Sequence, residues 1–143
     1  MAALGTAFTL DPRLAANTLP VAQLDLCDVR LMDDTRFGWL VLVPRRVALE
    51  EIFDLDADAR IRLLAEMDQT AVALRAQLPC DKLNVGALGN IVRQLHLHIV
   101  ARRVGDVAWP GPVWGHDARV PYTLAAGRAL CAALRARLVA STE

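Results

Sequence analysis

The sequence is short of several things, and each shortage removes a class of function. It has no long apolar run: the densest, Trp39 to Val43, falls far below the ~18–20 residues that cross a bilayer, so no membrane-spanning segment is expected. It has no excess of one charge. Sixteen Lys plus Arg balance sixteen Asp plus Glu, and nucleic acid is therefore not an expected partner, because non-specific binding to it draws on basic excess. Its three cysteines, Cys27, Cys80 and Cys131, are widely spaced and form no CxxC pair; they read as reduced thiols serving as small apolar residues. Lysine is almost absent, with Lys82 alone against an Arg- and Ala-rich background from which no function follows. The opening Met1 to Phe8 carries no cationic residue ahead of its apolar stretch and reaches Asp11 early. No cleaved secretory signal is expected there, and the expected location is the cytoplasm.

What remains is a chain of 143 residues, 55% hydrophobic and 22% charged, with mean hydropathy +0.30. That is the composition of a globular chain with enough apolar surface to bury one core. No linker, repeat or low-complexity stretch divides it, so residues 1–143 are read as one domain. Asp11-Pro12 can open a short helix over Leu10 to Ala16. Val21 to Met32 and Trp39 to Val43 read as paired strands around the turn-forming Asp33 to Gly38. Ile61, Leu64, Met67, Ala71, Leu74 and Leu78 recur at steps of three or four, with Arg62, Glu66 and Gln69 on another face. They predict a helix of about twenty residues, capped by Asp56 and Asp58 and stopped by Pro79. Leu83 to Leu88 reads as a strand interrupted by Gly86, and a second strand runs from Ile91 to about Arg102. Leu124, Leu130, Leu134 and Leu138 mark a C-terminal helix entered near Pro121.

The chemistry concentrates in Gly89-Asn90-Ile91-Val92-Arg93-Gln94-Leu95-His96-Leu97-His98-Ile99-Val100. Side chains alternate across a strand, so Gln94, His96 and His98 would share one face and Leu95, Leu97 and Ile99 the other. Such a row has three readings. It can be the wet face of a half-exposed sheet, or a source of imidazole metal ligands. The metal reading lacks further ligands, since no Asp or Glu closely follows His98. The third is nucleophilic catalysis at phosphorus, with one imidazole attacking and another stabilising phosphoryl oxygens.

Leu83-Asn84-Val85-Gly86, Gly89-Asn90 and Gln94-Leu95-His96-Leu97-His98-Ile99-Val100 together resemble the histidine triad (HIT) family, whose signature is H-φ-H-φ-H-φ-φ after an Asn- and Gly-containing strand. The resemblance covers residues 8 to 115, with 121 to 140 as a C-terminal helical extension. Ala108 to Gly115 is similar to a bacterial branch. The first triad histidine is replaced by Gln94, and Ile91 stands where better-known members have Ser or Thr. Uridylyltransferases of the superfamily carry a Gln at the third position instead, so no sugar nucleotide is implied. The resemblance implies an α+β fold, an antiparallel sheet of about five strands with a long helix and a C-terminal helix. It implies a nucleotide hydrolase or nucleotidyl transferase in which His96 attacks an α-phosphate and His98 contacts the phosphate near the breaking bond. Dinucleoside polyphosphates, nucleoside phosphoramidates or related mixed anhydrides would be the substrates. Asn84 and Asn90 would lie near the phosphates and nucleophile, and Asp34 or Asp33 would meet the ribose hydroxyls. No cofactor is implied, save Mg2+ accompanying a polyphosphate, and a homodimer is implied as the assembly. The alternative is a non-catalytic nucleotide-binding or regulatory protein, suggested by Gln94 and Ile91.

Gln94 offers a donor and an acceptor but does not titrate near neutral pH. Arg93, Arg102 and Arg103 read as solvated strand-end residues before polyphosphate contacts. Trp109 and Trp114 can stack on a base or pin their Pro-rich loop, and His116 reads as surface.

Overall fold

The computed structural model describes residues 7–140; the expectation for Met1 to Thr6 lies outside the described residues. The helix Pro12–Asn17 (α1) is capped by the Asp11 carboxylate and leads directly into the strand Thr18–Gln23 (β1). Strands Cys27–Met32 (β2) and Gly38–Pro44 (β3) follow, then a 3-10 turn Ile52–Asp54 and the helix Ala57–Gln77 (α2). Strands Lys82–Gly86 (β4) and Leu97–Arg102 (β5) and the helix Leu124–Ala140 (α3) complete the order. All five strands form one antiparallel sheet in the order β1-β2-β3-β5-β4. The α+β architecture expected above is present, and among the described residues no helix is long and apolar enough to cross a membrane.

Alternation along the strands builds two cores. Leu40 and Leu42 of β3 and Leu97, Ile99 and Ala101 of β5 face one core with α2 and α3. Trp39, Val41 and Val43 of β3 and Val100 of β5 face another, closed by Phe8, Leu10, Leu14, Ala108, Val113 and Trp114. The first cover is helical and the second is made of irregular segments. Central strands β3 and β5 are thereby buried on both faces.

Three expectations need correction. The stretch Val21 to Met32 is two strands, because the chain turns between β1 and β2, where Leu24 N–H donates to Cys27 O at 2.8 Å. Helix α2 is rotated relative to its apolar stripe: Ala59, Leu63, Glu66, Thr70, Ala73 and Leu74 are buried, whereas Ile61 is 70% and Leu64 56% exposed. The cause is Glu66, whose carboxylate accepts the backbone N–H groups of Leu26 at 2.7 Å and Cys27 at 2.9 Å. A buried amide must find a partner, and α2 turns its carboxylate inward to supply one for each. The expected strand from Ile91 begins only at Leu97, and residues 91–96 are irregular.

Glu66→Ala strands two buried donors and is expected to lower stability by about 2–4 kcal/mol. Glu66→Gln, which keeps one acceptor, should lose about half of that. Urea denaturation of both variants checks the order; an Ala variant as stable as the parent would show that water replaces the carboxylate.

Candidate active site

The site lies where β3 ends and β5 begins. His98 is the second residue of β5, paired with Val41 on one side and Gly86 on the other. His96 lies just before the strand, in a turn whose Leu95 N–H donates to Leu49 O at 2.9 Å. Both imidazoles are nearly buried, at 6% exposure for His96 and 5% for His98, and their ring centroids are 4.9 Å apart at 73°.

The partners of the two rings settle their tautomers. His96 Nδ1 is 2.7 Å from the backbone carbonyl of Gln94. A carbonyl only accepts, so Nδ1 carries the proton and Nε2 keeps a free lone pair. His98 Nδ1 is 2.9 Å from Trp39 Nε1. An indole N–H only donates, so Nδ1 accepts and the proton of neutral His98 is on Nε2. Burial, with a smaller contribution from His96, pushes the His98 pKa down to about 3. The site thus pairs a nucleophilic nitrogen with a neutral N–H donor.

His96 lines a cavity of about 610 Å³ bounded by Glu50, Glu51, Arg93, Gln94 and the loop Ala87 to Asn90. Asn90 lines the same cavity as His96. Arg93 pairs with Glu50 at 2.9 Å and stays exposed; each holds the other's charge, the carboxyl lowered and the guanidinium raised.

The remaining candidates go elsewhere. Gln94 does not share a strand face with the histidines, because no strand forms there: its Oε1 accepts from Asp11 N–H at 2.9 Å and its Nε2 donates to Thr9 O at 2.9 Å. Arg13 adds a bond from Nη1 to Ile91 O at 2.9 Å. Gln94 therefore anchors the N-terminal segment, and it reaches His96 through its carbonyl alone. Asp34 is at the far end of β3, four residues before Gly38, which pairs with Ala101. It is 1% exposed, bonded to Arg36 at 2.8 Å and to Val120 N–H at 3.3 Å. Asp33 accepts from Tyr122 N–H at 2.8 Å. Both aspartates hold the segment entering α3, and neither lines the cavity at His96. Asn84 accepts from Arg102 Nη1 at 2.8 Å.

Arg102 corrects the reading of the strand-end arginines as solvated. It is 1% exposed and bonded to Asp106 through Nε at 2.7 Å and Nη2 at 2.9 Å. Its guanidinium lies 5.8 Å from the Phe37 ring and 5.6 Å from the Trp109 ring. Trp109 and Trp114 pin their loop: Trp114 packs edge-on against His98 at 5.4 Å and Trp39 at 6.4 Å. His116 is half-exposed beside Asp117. Cys27 and Cys131 are buried, and burial pushes their thiols up, away from reactivity. The residue that sequence reasoning missed is Trp39. Its hydrophobic run marked a strand, and nothing in a run shows that an indole nitrogen will meet a histidine 59 positions on.

Comparison with known proteins supplies the family. The HIT domain family model matches residues 14–105, and the chain belongs to the HIT family. It is similar to solved histidine triad proteins from Sinorhizobium meliloti (44% identity, 93% of this chain and 96% of that one, TM-score 0.87) and Bradyrhizobium japonicum (41%, 93% and 99%, 0.89). A histidine triad protein from Marinobacter aquaeolei is similar at 43% identity, 94% and 98% coverage and TM-score 0.91. Comparison with curated proteins gives no match. HIT domain proteins are generally nucleotide hydrolases or transferases, and membership supports a nucleotide-binding or hydrolase type of function.

Because the folded-state pKa of His98 is depressed from 6.5 to about 3, the unfolded chain binds the extra proton first as pH falls. Stability is expected to decline below pH 6.5, with His98 contributing a slope approaching about 1.4 kcal/mol per pH unit near pH 5. Denaturant titrations at several pH values should show a shallower decline in His98→Asn.

Proposed function

We propose that the protein is a nucleotide hydrolase or nucleotidyl transferase acting at an α-phosphate through a nucleotidyl-His96 intermediate. The observation that carries the reading is the pair of opposed tautomers: a lone pair on His96 Nε2 beside a proton on His98 Nε2. His96 Nε2 attacks phosphorus, the bond from phosphorus to the leaving oxygen or nitrogen breaks, and the leaving group takes up a proton from water. The adduct ring is cationic, and the Gln94 carbonyl that accepts from Nδ1 stabilises it. His98 donates a hydrogen bond from Nε2 to the phosphoryl oxygens or the leaving atom and keeps its proton. Water then attacks phosphorus, the N–P bond breaks, and a nucleoside monophosphate and one proton leave to solvent with neutral His96 restored. Dinucleoside polyphosphates, nucleoside phosphoramidates and related mixed anhydrides have the required bond, with Asn90 at the cavity beside the nucleophile.

The reading assigns no resident metal. Each histidine has Nδ1 committed, and His98 Nε2 carries a proton, so a metal would have to displace the tautomer that Trp39 imposes. Among the described residues no group of three or more His, Cys, Asp and Glu could hold an ion. Mg2+ enters only as a counter-ion of a polyphosphate. Chelation is expected to leave phosphoramidate turnover unchanged, and loss of that turnover on chelation would overturn this assignment.

The deciding experiment is release of nucleoside monophosphate from diadenosine polyphosphates and adenosine phosphoramidate. His96→Ala should abolish turnover and leave nucleotide affinity within about tenfold, or about 1.4 kcal/mol. Turnover retained in that variant sinks the nucleophile. Nucleotide bound by the parent without turnover favours the non-catalytic alternative.

The proposed assembly is a homodimer in the cytoplasm. Its support is the outer edge of β4, which is the last strand in the sheet, beside an apolar groove lined by Ile52, Leu63, Leu64, Met67, Val85 and Leu97. Val85→Lys is expected to yield a monomer by sedimentation; a parent that is itself monomeric refutes the assembly.

A further inference from the structure

We propose that Trp39 is a positioning residue for the catalysis read above: its indole N–H occupies His98 Nδ1 and so keeps the His98 proton on Nε2, directed at the reacting phosphate. The inference rests on the functional reading for its consequence, but the tautomer itself is a property of the free protein.

The geometry isolates Trp39 as the cause. It is 7% exposed, two pairs along the β3–β5 ladder from the Val41–His98 pair and so on the same face of the sheet, with its ring 5.5 Å from the imidazole. Phe37 at 6.4 Å and Trp114 at 6.4 Å hold the ring at its edges. His98 faces Trp39 and Val41 from β3, Gly86 from β4, Trp114 from the loop and His96 from the preceding turn; of these, His96 is the titratable group. No carboxylate among them is placed to draw the proton to Nδ1. A histidine or hydroxyl at position 39 could exchange donor and acceptor roles, whereas an indole nitrogen cannot accept. The lock therefore has one sense. It mirrors the Gln94 carbonyl, which holds the proton of His96 on the opposite nitrogen of its ring. The two imidazoles are set by partners of opposite polarity, one a backbone acceptor and the other a side-chain donor.

The test reads the tautomer directly. In nitrogen-15 correlated spectra of the wild-type imidazoles at neutral pH, His98 is expected with Nδ1 bare and Nε2 protonated. Trp39→Phe, which keeps the aromatic ring and removes the N–H, should populate the Nδ1–H form. It should also lower kcat at least about tenfold while KM moves less than about threefold. A structural role alone would shift stability without moving the tautomer. If Trp39→Phe fails to fold, the wild-type spectrum decides, and His98 found protonated on Nδ1 overturns the proposal. An unchanged tautomer in a folded Trp39→Phe overturns it too. If neither protein turns over the substrate panel, the functional reading has failed, while the spectra still decide what sets the His98 proton.

Discussion

The arrangement at His96 and His98 depends on β3 and β5 being buried on both faces. Strands covered on one face alone would leave His98 in water, where either tautomer and the cation are all accessible. Here Phe8, Leu10, α1 and the loop carrying Val113 and Trp114 close the second face, and the imidazole has to take its hydrogen bond from inside the protein. Trp39 is the donor within reach. Burial also keeps the ring neutral, so its proton stays available as a hydrogen-bond donor well below neutral pH.

That cover is held by ionic and amide contacts more than by regular structure. The buried Arg102 joins Asn84 of β4, Asp106 of the loop and the rings of Phe37 and Trp109. Asp33 and Asp34 tie the chain entering α3 to the far end of the sheet. Breaking a buried pair leaves a charge without compensation, which is costly, so these contacts specify where the loop lies. At the rim of the cavity beside His96, in contrast, the ion pair of Arg93 and Glu50 is exposed to solvent.

How much of this was legible in the sequence depended on the range of the interaction involved. Helix α2, its Asp56 cap and the β2–β3 hairpin follow from local pattern and turn chemistry, and the structure has them. The pairing of His96 with His98 came from two-residue spacing and survives, although His96 lies in the turn before the strand. Failures came where a partner distant in sequence decided the outcome. Glu66 looked like a surface residue of α2 until two amides of the β1–β2 turn claimed it. Asp34, carried over as a ribose contact, was drawn away by Arg36 and Val120. Gln94 was grouped with the histidines by alternation, but the strand that would have aligned them does not begin until Leu97.

Gln94 joins residues at the two ends of the motif-bearing region. Its side-chain bonds span 83 and 85 positions to Asp11 and Thr9, while its carbonyl orients the ring two residues later. The N-terminal segment and the His96 ring are thus linked through one residue. A fragment containing only the β4–β5 hairpin would keep every residue of the motif and lose both side-chain bonds that anchor Gln94. The surroundings of His96 are therefore a property of the closed chain, completed when the N-terminal segment docks onto Gln94.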